Sequence, residues 1–233
     1  MAKSPVTDGK IRAEQATSAP GVRPEGRGFA AWVRWGALAW LLFWFVTYWI
    51  VWGPRTFAYL CDIAVMVTCI GLWTNSALLI SSQAVSSLIV DAMWAVDAIS
   101  AAAFGRHVFG GTEYLFNPVH PLWIRLLSLY HVFLPLVLLW AVHRLGYDRR
   151  GWKLQAGVVT VAFVAARFTP ATQNINFAYR LPVVNRPFGP APVHVAVSIL
   201  FMIFVVYWPT HWVLRKLFSP PRGKNGGEPP HST

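Results

Sequence analysis

Apolar residues come in blocks too long for the core of a soluble domain, and polar residues are spaced between them. The first block runs from about Ala31 to Trp52 and stops at Gly53-Pro54. A second starts near Thr56 and ends near Trp73, where Thr74-Asn75-Ser76 makes a turn. The third, about Ala77 to Phe104, is the longest of these, and its outer end is expected to tilt or project beyond the hydrocarbon. The fourth runs from about Leu122 to His143, a short fifth ends near Phe168, and the sixth spans about His194 to Leu214. A helix needs roughly 20 apolar residues to cross a bilayer. The pattern predicts an all-α polytopic membrane protein, a six-helix transmembrane bundle over residues 29–217. Residues 1–28 and 218–233 read as disordered polar tails. No apolar signal core precedes a small-residue cleavage site, so no signal peptide is expected.

Six crossings put both termini on one side, and basic residues choose which. Fourteen of the 20 Lys and Arg fall on the side of the tails. The other six are Arg55, Arg106, Arg125, Arg167, Arg180 and Arg186. Both termini are therefore expected in the cytoplasm, with the long loops 105–121 and 169–193 outside. Trp32, Trp35, Trp52, Trp73, Trp123 and Trp152 fall near span ends, where interfacial anchors belong.

Composition supports this reading. Of 233 residues 55% are hydrophobic and 12% charged, and 13 are Trp; soluble proteins carry about 25% charged residues. The net charge of +11 does not indicate nucleic acid, because basic residues flank the spans and no nucleic-acid motif is present. It suits anionic lipid at the surface. Membrane lipids are the expected partners, with a membrane protein as a further one. The place implied is a cell membrane, the cytoplasmic membrane if the source is bacterial. Cys61 and Cys69 are about 12 Å apart on one helix, too far for a disulfide.

Polar groups inside the blocks are the candidates for chemistry, since an ionisable residue in a membrane is costly unless paired or functional. At 1.5 Å per residue, Cys61 and Asp62 lie about 8–9 Å below the outer interface. Asp97 lies about 10 Å down, His131 about 13 Å and Asp91 about 20 Å. Cys61, Asp62, Asp97 and His131 thus share a depth on three helices. A thiol nucleophile needs a base within reach, and His131 is the histidine at matching depth. Asp62 or Asp97 would orient the imidazole, as the third member of a triad does. Asp91 belongs to a stripe with Gln83, Ser87, Trp94 and Ala98 on one helical face. That stripe reads as a packing seam or as a protonatable relay. Asp97 lies about 120° around the helix from Asp91, so one cavity need not hold both. Pro135 predicts a kink near His131. In the outer loops, Glu113, Tyr114, Asn174 and Asn176 are candidates for binding a head group. The histidines are too scattered to predict a metal or haem site, although His107, His120 and His194 all fall near the outer face. No cofactor is expected.

Tyr59-Leu60-Cys61-Asp62 on an early helix and Tyr130-His131-Val132-Phe133-Leu134-Pro135 on a later one resemble a known arrangement. It is that of the androgen-induced-protein, GPCR-like superfamily of polytopic membrane hydrolases and acyltransferases. The resemblance covers these two stretches. It implies action on lipid esters, with Cys61 as nucleophile and His131 as base; in another register Thr56 or Thr68 takes the nucleophile's place. Two other functions suit the same residues. One is a non-catalytic subunit or lipid-binding scaffold of a larger complex. The other is a proton-linked transporter using Asp91, Asp97 and His131, which the lack of an internal repeat disfavours.

Overall fold

The computed structural model describes residues 28–182 and 184–218. The two tails expected to be disordered lie outside them, apart from Gly28 and Phe218. The described residues form helices and loops, with no strand among them. Helix α1 is Ala31–Trp52. It ends where Gly53 takes a φ of 80° and Pro54 cannot continue the ladder. A 3₁₀ turn, Pro54–Ala58, follows, and α2 is Leu60–Thr74. Asn75 in the left-handed region closes α2. Ser76 then caps α3, Ala77–Phe104, its hydroxyl accepting from the Leu79 amide. A one-turn helix α4, Glu113–Phe116, lies in the following loop. Helices α5, Leu122–Leu126, and α6, Tyr130–Leu145, are joined by the 3₁₀ turn Leu127–Leu129. Helix α7 is Gly151–Ala166. The last run comprises α8, Ala191–Phe201, a π-helical stretch, Met202–Tyr207, and α9, Trp208–Phe218.

Four of these runs are long and apolar enough to cross a membrane: Ala31–Trp52, Ala77–Phe104, Leu122–Leu145 and Ala191–Phe218. Helices α2 and α7, with 15 and 16 residues, reach only about 22–24 Å, less than a hydrocarbon core of about 30 Å. Helix α3 is the hub, packed against α2, α6, α7, the π-helical stretch and α9.

Three local features differ from the sequence expectation. Pro54 starts a 3₁₀ turn and Tyr59 is extended, so α2 begins at Leu60, not near Thr56. Cys61 and Asp62 therefore sit in its first turn. The irregularity near His131 is the turn Leu127–Leu129, one step before Tyr130, while Pro135 stays inside α6. The π-helical stretch has no counterpart in the apolar pattern, because a π turn changes hydrogen-bond register without changing residue character.

Polar groups are buried beside apolar ones in the interior, and large apolar groups cover much of the outside. Ser81, Ser82, Gln83, Gln155, Asp91 and Asp97 are fully or almost fully buried. Ile50, Ile99, Phe133, Val161 and Phe204 are each more than 60% exposed. Such a surface is unfavourable in water but matched to lipid. Small residues let the centre close. Ser81 Oγ accepts from the Asp148 amide at 2.9 Å. The Asp148 carboxyl is held below its usual value by the Arg150 guanidinium that bonds it. A Cβ on Gly151 would lie 2.8 Å from the Ser81 carbonyl carbon and the Ser82 amide. Gly151→Ala is therefore expected to push α7 off α3 and cost about 1–3 kcal/mol. Thermal unfolding in detergent measures it, and an unchanged transition would refute this close contact.

Candidate functional site

The start of α2 is fixed from a distant loop. Asn176 accepts from the Leu60 amide at 2.9 Å and donates to the Ala58 carbonyl at 2.8 Å. It thus satisfies two backbone groups that the 3₁₀-to-α junction leaves open. The next residues are Cys61 and Asp62. Asp62 is 2% exposed and accepts from Thr56 Oγ1 at 2.8 Å and from Tyr130 Oη at 2.7 Å. Cys61 Sγ lies 4.0 Å from Asp62 Oδ1, the same oxygen that accepts from Tyr130 Oη. One residue, Tyr130, thereby links the α2 carboxylate to α6.

Tyr130 also stacks on His131, with ring centroids 4.1 Å apart. The other face of His131 is covered by Trp94 of α3, at 4.5 Å and nearly parallel. His131 Nδ1 is 2.8 Å from the Ser128 carbonyl. A carbonyl only accepts, so Nδ1 carries the proton and Nε2 keeps the lone pair. No hydrogen bond to Nε2 occurs among the described residues, and none joins Cys61 to His131 there. Tyr130 stacks on His131 and donates to Asp62, the residue after Cys61. The cluster continues with Tyr48, whose hydroxyl bonds Ser128 Oγ at 2.9 Å, and Tyr114, whose hydroxyl accepts from Trp94 Nε1 at 3.3 Å. Trp44, fully buried, packs edge-on against Tyr130.

Asp97 goes elsewhere, although sequence depth groups it with Cys61 and His131. Its carboxylate accepts from the amides of Phe109 and Gly110 at 2.7 and 3.0 Å, from His107 Nδ1 at 2.9 Å and from Thr112 Oγ1. It pins the loop after α3 and does not orient His131. Asp91, set apart by depth, instead lines a small cavity with Cys61. Of the loop candidates, Glu113 accepts from the Gly111 amide at 2.7 Å. Asn174 accepts from the amides of Tyr179 and Arg180. These two and Asn176 serve the backbone, and Tyr114 bonds Trp94, the ring that covers His131.

The three outer histidines have separate surroundings. His107 bonds Asp97, His120 packs on Trp52, and His194 donates to the Phe177 carbonyl while accepting from the Phe188 amide. Among the described residues no three His, Cys, Asp or Glu side chains are grouped to hold a metal ion.

Next to Tyr130 lies an apolar groove of about 580 Å³ between α1, α2 and the α5–α6 run. Val33, Trp40, Thr68, Phe133 and Val137 line it, and so does Tyr130. Thr68 Oγ1 is buried there with no hydrogen-bond partner among the described residues. Sequence reasoning missed the part of Tyr130, though the adjacent Tyr-His pair on a helix was its available signal. Comparison with family models, with curated proteins and with solved structures returns no match.

Proposed function

We propose that this protein is a multi-pass membrane protein that hydrolyses or transfers the acyl group of a lipid ester. The observation that carries the reading is the double placement of Tyr130. Its ring lines the apolar groove, and its hydroxyl donates to Asp62 beside Cys61. An acyl chain in the groove would bring its ester end toward Cys61 and His131. Cys61 attacks the ester carbonyl, and His131, with its Nδ1 proton fixed, takes the thiol proton on Nε2 and returns it to the leaving alcohol. Asp62, Thr56 and Tyr130 position the α2 end of the site. The chain crosses six times in this reading, with α2 and α7 as the short crossings and both termini in the cytoplasm. The 3₁₀ turn before α2 adds about 10 Å to that segment. Membrane lipid is both substrate and solvent.

Purified protein in liposomes, given a fluorogenic fatty-acyl ester, tests this. Cys61→Ala and His131→Ala are each expected to reduce turnover at least about 100-fold while the protein accumulates normally in the membrane. Wild-type turnover no greater than that of empty liposomes would overturn the reading, as would full activity in both variants. The groove itself favours a second reading, a non-catalytic subunit, because a largely apolar cleft also suits a partner's helix. That reading predicts a stably co-purifying membrane protein and unchanged function in Cys61→Ala.

A further inference from the structure

Asp91 is 1% exposed, and its buried Oδ2 has no hydrogen-bond partner among the described residues. A carboxyl oxygen left unsatisfied inside a protein is costly, so its surroundings should supply a partner. The carboxyl lines a cavity of about 20 Å³ together with Cys61, Ser86, Ser87 and Met202. A space above about 10–15 Å³ by this measure admits one water molecule, given two or more polar neighbours. Asp91 and the two serines provide them. Ser86 Oγ accepts from Gln155 Nε2 at 2.8 Å, which leaves its own hydrogen to donate. Met202, the first residue of the π-helical stretch, walls the cavity from the last helical run. Cys61 thus has two acidic neighbours with different occupations. Asp62 is committed to Thr56 and Tyr130, while Asp91 has an unpartnered oxygen and lines a water-sized space.

We propose that Asp91 holds a water molecule beside Cys61 and is the general base that hydrolyses an acyl thioester on Cys61. The inference rests on Cys61 being the nucleophile of the proposed ester chemistry. The Asp91 carboxylate takes a proton from the water, and the water oxygen bonds to the thioester carbonyl carbon. The tetrahedral intermediate collapses with cleavage of the C–S bond. The proton passes from Asp91 to the Cys61 sulfur, and the carboxylic acid departs. Thioester and water become acid and thiol, with no oxidant or reductant. The cavity size selects water over larger acceptors, so the enzyme is a hydrolase and not an acyltransferase.

The test uses the full chain in liposomes with a p-nitrophenyl ester of a medium-chain fatty acid. Asp91→Asn is expected to release one equivalent of nitrophenol and then slow at least about 100-fold. Intact mass should show one acyl group, located on Cys61. Hydroxylamine, which cleaves thioesters without a protein base, should free the enzyme again. Steady release at the wild-type rate by Asp91→Asn would overturn the proposal, as would transfer to added glycerol at the expense of hydrolysis in the wild type. Should Asp91→Asn fail to accumulate, Ser87→Ala removes one hydroxyl from the cavity. It is expected to slow release about tenfold with the burst intact, and an unchanged release rate overturns the proposal. A different failure belongs to the nucleophile assignment: turnover in Cys61→Ala, with no acyl group on Cys61 in any variant.

Discussion

Asp97→Ala is expected to loosen the outer loop and lower the melting temperature of the detergent-solubilised protein by about 10 °C. The carboxylate has no exposed surface and accepts from two amides, one imidazole and one hydroxyl. Alanine leaves those donors without their acceptor. Hydrogen bonds to a charged group contribute about 1.5–3 kcal/mol each, and part of the loss is recovered where water reaches the loop. A net cost of about 3–5 kcal/mol follows, the range found when one partner of a buried pair is removed. Asp97→Asn keeps the shape but turns an amide NH₂ toward a set of donors, so it should fall between the two. Limited proteolysis should show new cleavage within residues 105–121 in the alanine variant. An unchanged melting point together with unchanged cleavage would sink this account of Asp97.

The fates of Asp97 and Asp91 show how much of the site was legible in the sequence. Helical geometry puts them about 120° apart, so only one was free to face Cys61. Which one depends on the rotation of α3 about its axis, and that is set by packing against five neighbouring elements. Depth favoured Asp97, yet the loop after α3 claims it. The signal was present: Gly110-Gly111 predicts a tight turn, and both residues have positive φ, 75° and 97°. A tight turn presents backbone N–H groups that need an acceptor, and Asp97 is near enough along the chain to supply one. The long apolar runs were legible because lipid imposes one pattern over 20 residues. The stacking of His131 between Tyr130 and Trp94 was legible only in part. Tyr130 precedes it in the chain, whereas Trp94 lies 37 positions away on the serine stripe, where periodicity gives a face but no partner. The start of α2 was misplaced because Asn176, 116 residues beyond Leu60, supplies the cap that decides it.

His131→Phe separates base chemistry from packing at the proposed site. The imidazole fills a slot between two rings, at centroid distances of 4.5 Å to Trp94 and 4.1 Å to Tyr130. Phenylalanine preserves a flat ring there, and aromatic pairs contribute about 0.5–1.5 kcal/mol beyond the area they bury. What it loses is the Nδ1 hydrogen bond to the Ser128 carbonyl, about 0.5–1.5 kcal/mol, and the Nε2 lone pair. The fold should therefore survive with a small drop in melting temperature, and ester turnover should fall by about 10²–10⁴-fold. Alanine at the same position removes the ring as well and should cost more stability at the same loss of turnover. Esterase assays with thermal melts of the two variants separate the effects. If His131→Phe turns over ester at the wild-type rate, His131 is a spacer between Tyr130 and Trp94, and the base must be sought among the carboxylates beside Cys61. If the phenylalanine variant is inactive and folded with only that small drop in melting temperature, the lost function lies on Nε2, the nitrogen that the Ser128 carbonyl leaves unprotonated.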